Sequence, residues 1–236
     1  WLTRQELILV PFKSGGYDYG YDSLLVCPRN AAFFGFAMAQ LQAFVDLRTV
    51  ENFKPRAVVY AAPPFRHTHF NGKQVVVHCR RPEIELHEVF SYNLYPGPSA
   101  KKGIYSVLID IGEQEGWVTA HASSARIITP YENEMVMMHE GASGGGKSEL
   151  LENVMRSPDG RVLLGVNLVT GEESYISMSD TCTIAPVTDD MAMCPPSIQD
   201  NSGKLCLTDG EDGWFVRVDG ITEYGCEPQY EKIAIH

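Results

Sequence analysis

Basic residues are in short supply: 19 lysines and arginines face 30 aspartates and glutamates in 236 residues, a formal net charge of −11. Neutralising a nucleic-acid backbone needs the opposite balance, so no nucleic-acid partner is expected and any phosphate binding has to be local. Cysteine is sparse as well. Cys27, Cys79, Cys182, Cys194, Cys206 and Cys226 form no C-x-x-C pair, which argues against a zinc ribbon or a disulfide scaffold and for reduced thiols in a cytoplasmic setting. There is no apolar run of bilayer-spanning length and no signal-peptide pattern, so a membrane partner is not expected either. An initiator methionine is also missing: the chain opens on Trp1 and closes on the apolar, strand-like Glu231-Lys232-Ile233-Ala234-Ile235-His236. The expectation is a piece of a longer polypeptide, the remainder of which completes the fold. What is present is 44% hydrophobic residues, over a length suited to one large domain or two small ones.

The most informative stretch runs from Met135 to Leu150. The apolar run Met135-Val136-Met137-Met138 leads into Gly141-Ala142-Ser143-Gly144-Gly145-Gly146-Lys147-Ser148, and a helix-compatible segment, Glu149 to Met155, follows. Strand, Gly-x-x-x-x-Gly-Lys-Ser and helix in that order define a phosphate-binding loop. Glycines let backbone N–H groups curl around phosphate oxygens, the lysine reaches the β and γ phosphates, and the hydroxyl after it holds Mg2+. A glycine-rich surface turn is the plainer alternative, and the flanking strand and helix weigh against it. The motif specifies a nucleoside triphosphate and leaves the reaction open.

Elsewhere the pattern is that of an α/β protein. Strands are expected at Glu6–Phe12, Ser23–Cys27, Arg56–Tyr60, Val75–Cys79, Ile84–Phe90, Gly116–His121 and Thr183–Val187. A mostly buried helix is expected from Asn30 to Leu47, with Phe33, Phe34, Phe36, Met38 and Phe44 as core. His67 and His69, two apart in a loop, have the spacing of metal ligands but no third ligand nearby in sequence, so a solvated loop is preferred. Arg80-Arg81 would suit an anion through forked hydrogen bonds, although two arginines beside Pro82 are more often only a loop. Tyr95-Pro96-Gly97-Pro98 reads as a turn that delivers Lys101 and Lys102 to the start of an apolar segment, and His121 closes a short strand before small residues.

Taken together these motifs resemble phosphoenolpyruvate carboxykinase. That family has Tyr-x-Gly-x-x-Lys-Lys-Gly, then a strand ending in Met-His-Cys-Ser-Ala-Asn, then a phosphate loop. Here the corresponding residues are Tyr95, Gly97, Lys101-Lys102-Gly103, then Ala120-His121-Ala122-Ser123-Ser124-Ala125, then the loop from Gly141; Lys102 and His121 keep the family's separation of 19. Phe53-Lys54-Pro55-Arg56-Ala57-Val58-Val59 is similar to a segment of the ATP-dependent branch, and Thr188-Asp189-Asp190-Met191-Ala192 to the Gly-Asp-Asp-Ile-Ala-Trp of the GTP-dependent branch.

The resemblance implies an α/β carboxykinase-like fold, with an N-terminal α/β domain over residues 1–134 and an incomplete phosphate-loop domain over 135–236. It implies metal-dependent phosphoryl transfer from ATP or GTP to a small anionic substrate. Mn2+ would be held by Lys102 as the neutral amine, His121 and Asp190, with Lys101 beside Lys102 helping to keep it uncharged. Mg2+ would sit on Ser148 with Asp189 behind it, Lys147 would neutralise the transferring phosphoryl group, and Tyr95 would contact the substrate carboxylate. Asp209, in Asp209-Gly210-Glu211-Asp212-Gly213-Trp214, competes with Asp190 for the metal, but Gly210 stands where the ligating aspartate would be. The loop's Gly-Lys-Ser-Glu is closer to the bacterial kinases that phosphorylate a phosphocarrier protein, and the interval between Lys147 and Asp190 is long, with an insertion around 157–179. A kinase of a small molecule or protein on the same scaffold, and a nucleotide-binding regulatory protein without turnover, are therefore the alternatives.

Overall fold

The structure, a computed structural model, describes residues 1–62, 68, 70–73, 75–92, 96–142, 144–151, 156–177, 182–217 and 233–235. The apolar run from Leu7 to Phe12, closed by Lys13 and Ser14, makes β1 (Leu7–Ser14), which pairs antiparallel with β2 (Tyr21–Pro28) over eight residues. Between them Gly15 and Gly16 take left-handed φ values of 99° and 81° and open the single-turn helix α1 (Gly16–Tyr19). A β-carbon on Gly15 would lie 2.8 Å from the Met193 sulfur, so this corner needs glycine for space as well as for backbone freedom.

Four more strands, β3 (Ala43–Phe44), β4 (Ala57–Ala61), β5 (Val75–Arg81) and β6 (Leu86–Tyr92), complete a mixed sheet in the order β3-β1-β2-β4-β6-β5. One face of it, including Val10, Phe12, Leu25, Val59 and Val89, is buried against helices α2 (Ala32–Leu41) and α3 (Pro96–Glu115). The first helix is shorter than its composition predicts. After Leu41 the chain becomes extended at Gln42 and joins the sheet edge as β3, with Phe44 opposite Phe12. Helical periodicity also divides the expected core: Phe34 and Met38 point inward, whereas Phe33 is 85% and Phe36 72% exposed, and Phe44 lies exposed on the edge strand.

The second helix begins earlier than the sequence suggests. Pro96, Gly97 and Pro98 lie within its first turn, where the amide that proline lacks has no helical partner, so Lys101 and Lys102 sit inside a helix and not after a turn. Ile104, Val107, Leu108 and Ile111 then form its buried stripe.

Beyond α3 the chain forms small antiparallel sheets. β7 (Val118–Ala120) pairs with β13 (Ala192–Cys194), which pairs with β14 (Thr208–Asp209). β8 (Ala122–Ile128) lies between β9 (Glu134–Glu140) and β12 (Thr183–Thr188). The line at 134/135 falls just inside β9, which is paired with β8 from Ala122↔Glu140 to Ile128↔Glu134, and Met191 and Met193 from beyond that line are buried in the first core. Pro186 sits at a register shift in the edge strand β12, the position that tolerates its missing donor. β10 (Arg161–Val166) and β11 (Glu173–Ser177) make a hairpin of the long interval before Asp190, and β15 (Phe215–Arg217) pairs in parallel with β16 (Ile233–Ile235). The architecture is mixed α/β, mostly sheet with few helices. Among the described residues no helix is long and apolar enough to cross a membrane.

Candidate functional site

The glycine-rich loop leaves β9 at Glu140 and ends in a single 3-10 turn, Ser148–Leu150. Gly144 and Gly146 take φ values of 80° and 84°, and the Gly145 N–H donates to the Ala142 carbonyl at 3.0 Å, so the tight curl depends on these glycines. The Lys147 carbonyl accepts from Ser123 Oγ at 2.9 Å, which ties the loop to β8. Of the expected helix after the loop, residues 152–155 lie outside the described residues, as do Ser143 and Tyr95 among the expected site residues and His67 and His69 among the loop histidines.

Lys147 is buried, and its ammonium turns back on its own loop and on the strand ends facing it. Nζ donates to the carbonyl of Gly141 at 3.2 Å and lies 3.3 Å from both His121 Nε2 and Asp190 Oδ1. His121 occupies the bend where the chain passes from β7 to β8, and Asp189 and Asp190 directly follow β12. His121 Nε2 is 2.9 Å from Asp190 Oδ1, and Ser148 Oγ donates to Asp189 Oδ1 at 2.5 Å. Thr188 locks this corner by donating from Oγ1 to the Ala122 carbonyl at 3.1 Å. Ser148, Lys147, His121, Asp189 and Asp190 are thus brought together from segments as far as 69 positions apart.

The two adjacent lysines part company. Lys101 is on the buried stripe of α3, with Nζ 2.9 Å from Glu211 Oε2 and 3.4 Å from Asp190 Oδ2, whereas Lys102 is turned about 100° away and exposed. Glu211 has no role in the resemblance and Asp209 enters it only as the rival of Asp190, yet both reach the site. Asp209 accepts the backbone N–H groups of Asp189 at 3.2 Å and Glu211 at 3.1 Å, and Gln42 Nε2 donates to Glu211 Oε1 at 3.3 Å. Their alternation as Asp-x-Glu was the available sign, since residues two apart on an extended chain share a face.

Four carboxylates around two ammonium groups leave negative charge in excess, and the proton affinities follow. Burial pulls Lys101 down, but Glu211, Asp190 and Asp189 outweigh it and hold the ammonium charged. Burial pushes Asp189 up against Lys101 and the Ser148 hydrogen bond. Asp190 is also raised by burial, yet Lys101, His121 and Lys147 bring it below the usual carboxylate range. Burial, with Glu211 and Asp189 nearby, drives Asp209 well above that range. Glu211 is pushed to about 8 by burial, which Lys101 only partly offsets.

The Lys147 ammonium is held by groups of the kind that also bind metal ions. His121 Nε2, Asp190 Oδ1 and the Gly141 carbonyl all converge on the Lys147 ammonium. Imidazole and carboxylate suit a divalent transition metal. Lys101, kept protonated by its carboxylates, does not fit as a neutral third ligand. Among the described residues no three histidine, cysteine or acidic side chains form a metal-binding group by themselves.

Beside Asp209 and Glu211 lies a cleft of about 200 Å³, lined also by Pro186, Val187, Asp212 and Trp214.

Set against known proteins, residues 1–236 match the model of a family described as a domain of unknown function, DUF4914, and the chain belongs to that family. No curated protein matches it in sequence.

Proposed function

We propose that this protein binds ATP or GTP with Mg2+ at the loop Gly141–Ser148 and carries out metal-dependent phosphoryl transfer of the phosphoenolpyruvate carboxykinase kind. The observation that carries the reading is the meeting of the loop with the end of β12: Ser148 on Asp189, and Lys147 on Asp190 and His121. Loop amides and Lys147 would hold the phosphates, Ser148 and Asp189 would bind Mg2+ directly or through water, and His121 with Asp190 would hold Mn2+. The two ions would supply charge neutralisation for the transferring phosphoryl group. Lys102 would complete the Mn2+ set in the family pattern, although it lies on the exposed side of α3.

The cleft favours a second reading for the acceptor. Asp209, Glu211 and Asp212 line it and none of its lining residues is basic, so it offers a dianionic acid no ammonium or guanidinium, whereas carboxyl groups, protonated or ionised, hydrogen-bond hydroxyl groups. A kinase acting on a hydroxyl-bearing acceptor fits that lining better than a carboxykinase acting on a small anionic substrate.

Titration of labelled ATP and GTP into the wild type and Lys147→Ala tests the shared part of both readings. Removal of a charged donor from the loop is expected to weaken binding roughly 10- to 100-fold. Equal affinity in the two proteins would reduce the motif to a glycine-rich turn.

A further inference from the structure

At the β5 edge of the large sheet a second group of titratable side chains has no part in the loop site. His87 on β6 is buried, and its Nδ1 is 3.0 Å from Oδ2 of the buried Asp110 on α3. His87 Nε2 is 2.9 Å from Nδ1 of His78, which is exposed on the edge strand β5. Arg80, two residues further along the same face of β5, places Nε 3.0 Å from Asp110 Oδ1 and keeps 56% of its side chain exposed.

Hydrogen-bond logic determines the tautomers along this chain. Ionised Asp110 can only accept, so His87 donates from Nδ1 and is left with a lone pair on Nε2. That lone pair accepts the Nδ1–H of His78, and the outer nitrogen of His78, Nε2, then carries a lone pair. Carboxylate, imidazole and reactive group in series is the arrangement that activates nucleophiles, here with a second imidazole in the outer place. An aspartate and one histidine would be enough to fasten α3 to the sheet. The exposed imidazole, with a guanidinium beside it, exceeds that structural need.

We propose that His78 Nε2 is a nucleophile that accepts a phosphoryl group from a small phosphoryl donor. With the zwitterionic, N-protonated form of phosphoramidate as donor, the Nε2 lone pair forms the N–P bond while the donor's P–N bond breaks and ammonia leaves with that electron pair. The positive charge arising on the His78 ring is removed as its Nδ1 proton passes to His87 Nε2. His87 becomes an imidazolium held by Asp110, and Arg80 is the nearby cation for the phosphoryl oxygens. Burial, helped by Arg80, lowers the proton affinity of both histidines against the pull of Asp110, and His87 lowers that of His78 further, so the outer lone pair is available at neutral pH. His78 is the residue that touches the donor; His87 and Asp110 act through it. Asp110 follows Lys101 by nine positions, about 13 Å along α3, so the site stands apart from the nucleotide reading.

The test incubates the intact protein with phosphoramidate, and in parallel with Mg-ATP, and locates any acid-labile, alkali-stable phosphoryl label by peptide mass spectrometry. Label is expected on His78 from at least one donor and absent in His78→Gln. In Asp110→Asn and His87→Gln the labelling rate should fall about 100-fold, the scale of positioned acid–base assistance. His87→Gln should also move the acid limb of the rate profile up toward about 6.5, the ordinary imidazole value, a change that a purely structural role would not produce. His78→Gln alters an exposed side chain and leaves the fold in place for the comparison. Absence of acid-labile label with both donors, or labelling of urea-unfolded protein at the folded rate, would overturn the proposal.

Discussion

At the scale of single residues, neighbours in sequence have been given different work. Lys101 and Lys102 are equivalent as a dipeptide, yet it is Lys101 that is buried on Asp190 and Glu211 while Lys102 lies on the exposed side of the helix. Asp190 and Asp209, the two rivals for a metal, also divide. Asp190 faces His121, Lys101 and Lys147 with its side chain, whereas Asp209 spends both carboxyl oxygens on backbone N–H groups. Asp190→Asn should therefore lower Mn2+ affinity about tenfold or more, the cost of losing a charged ligand. Asp209→Asn resembles the protonated carboxyl favoured by burial and should change Mn2+ binding little. Calorimetric titration of Mn2+ into both variants decides between them, and the reverse ranking would hand the metal to Asp209.

At the scale of elements, α3 connects the two candidate sites to one core. Its Gly103 faces β6 so closely that a β-carbon would lie 2.7 Å from Val89 Cγ1, and Val89 is fully buried. Gly103→Ala gains up to about 1 kcal/mol of helix propensity but overpacks this contact at about 1–3 kcal/mol, so a lower urea midpoint is expected. Adding Val89→Ala should recover part of the first loss, because the two changes act on one contact. A stability increase in Gly103→Ala alone would show that the helix can lift without penalty. The glycine was legible as a family motif residue, but its packing role required the partner strand.

For the whole molecule, pH dependence separates the two titrating clusters. His78 and His87 have lowered proton affinity in the folded state, so their stability contribution is present above the unfolded value near 6.5 and is lost as pH falls below it. Glu211 behaves oppositely: raised from 4.5 to about 8, it contributes stability that is full below 4.5 and is lost as pH rises through 8. Between about pH 7.5 and 8.5 the histidines are largely neutral in both states, and the slope belongs to the buried carboxyls. The thermal midpoint should fall over that interval in the wild type and fall less in Glu211→Gln. An identical slope in both proteins would remove Glu211 as its source. Local signals are strong where chemistry or periodicity is local. The curl at Gly141–Ser148 was legible because its glycines supply the left-handed backbone angles of a tight loop, and β1, β2, β4 and β5 were legible from apolar runs bounded by turn residues. Which lysine faces inward, that Glu211 lies on Lys101, and that His78, His87 and Asp110 form one chain were decided only by tertiary structure. These contacts depend on strand register, such as Arg80 opposite His87 and Ala192 opposite Asp209, and on the rotation of α3 about its axis. Register and rotation are set by burying the whole apolar face at once, a sum over distant residues that no single stretch of sequence contains.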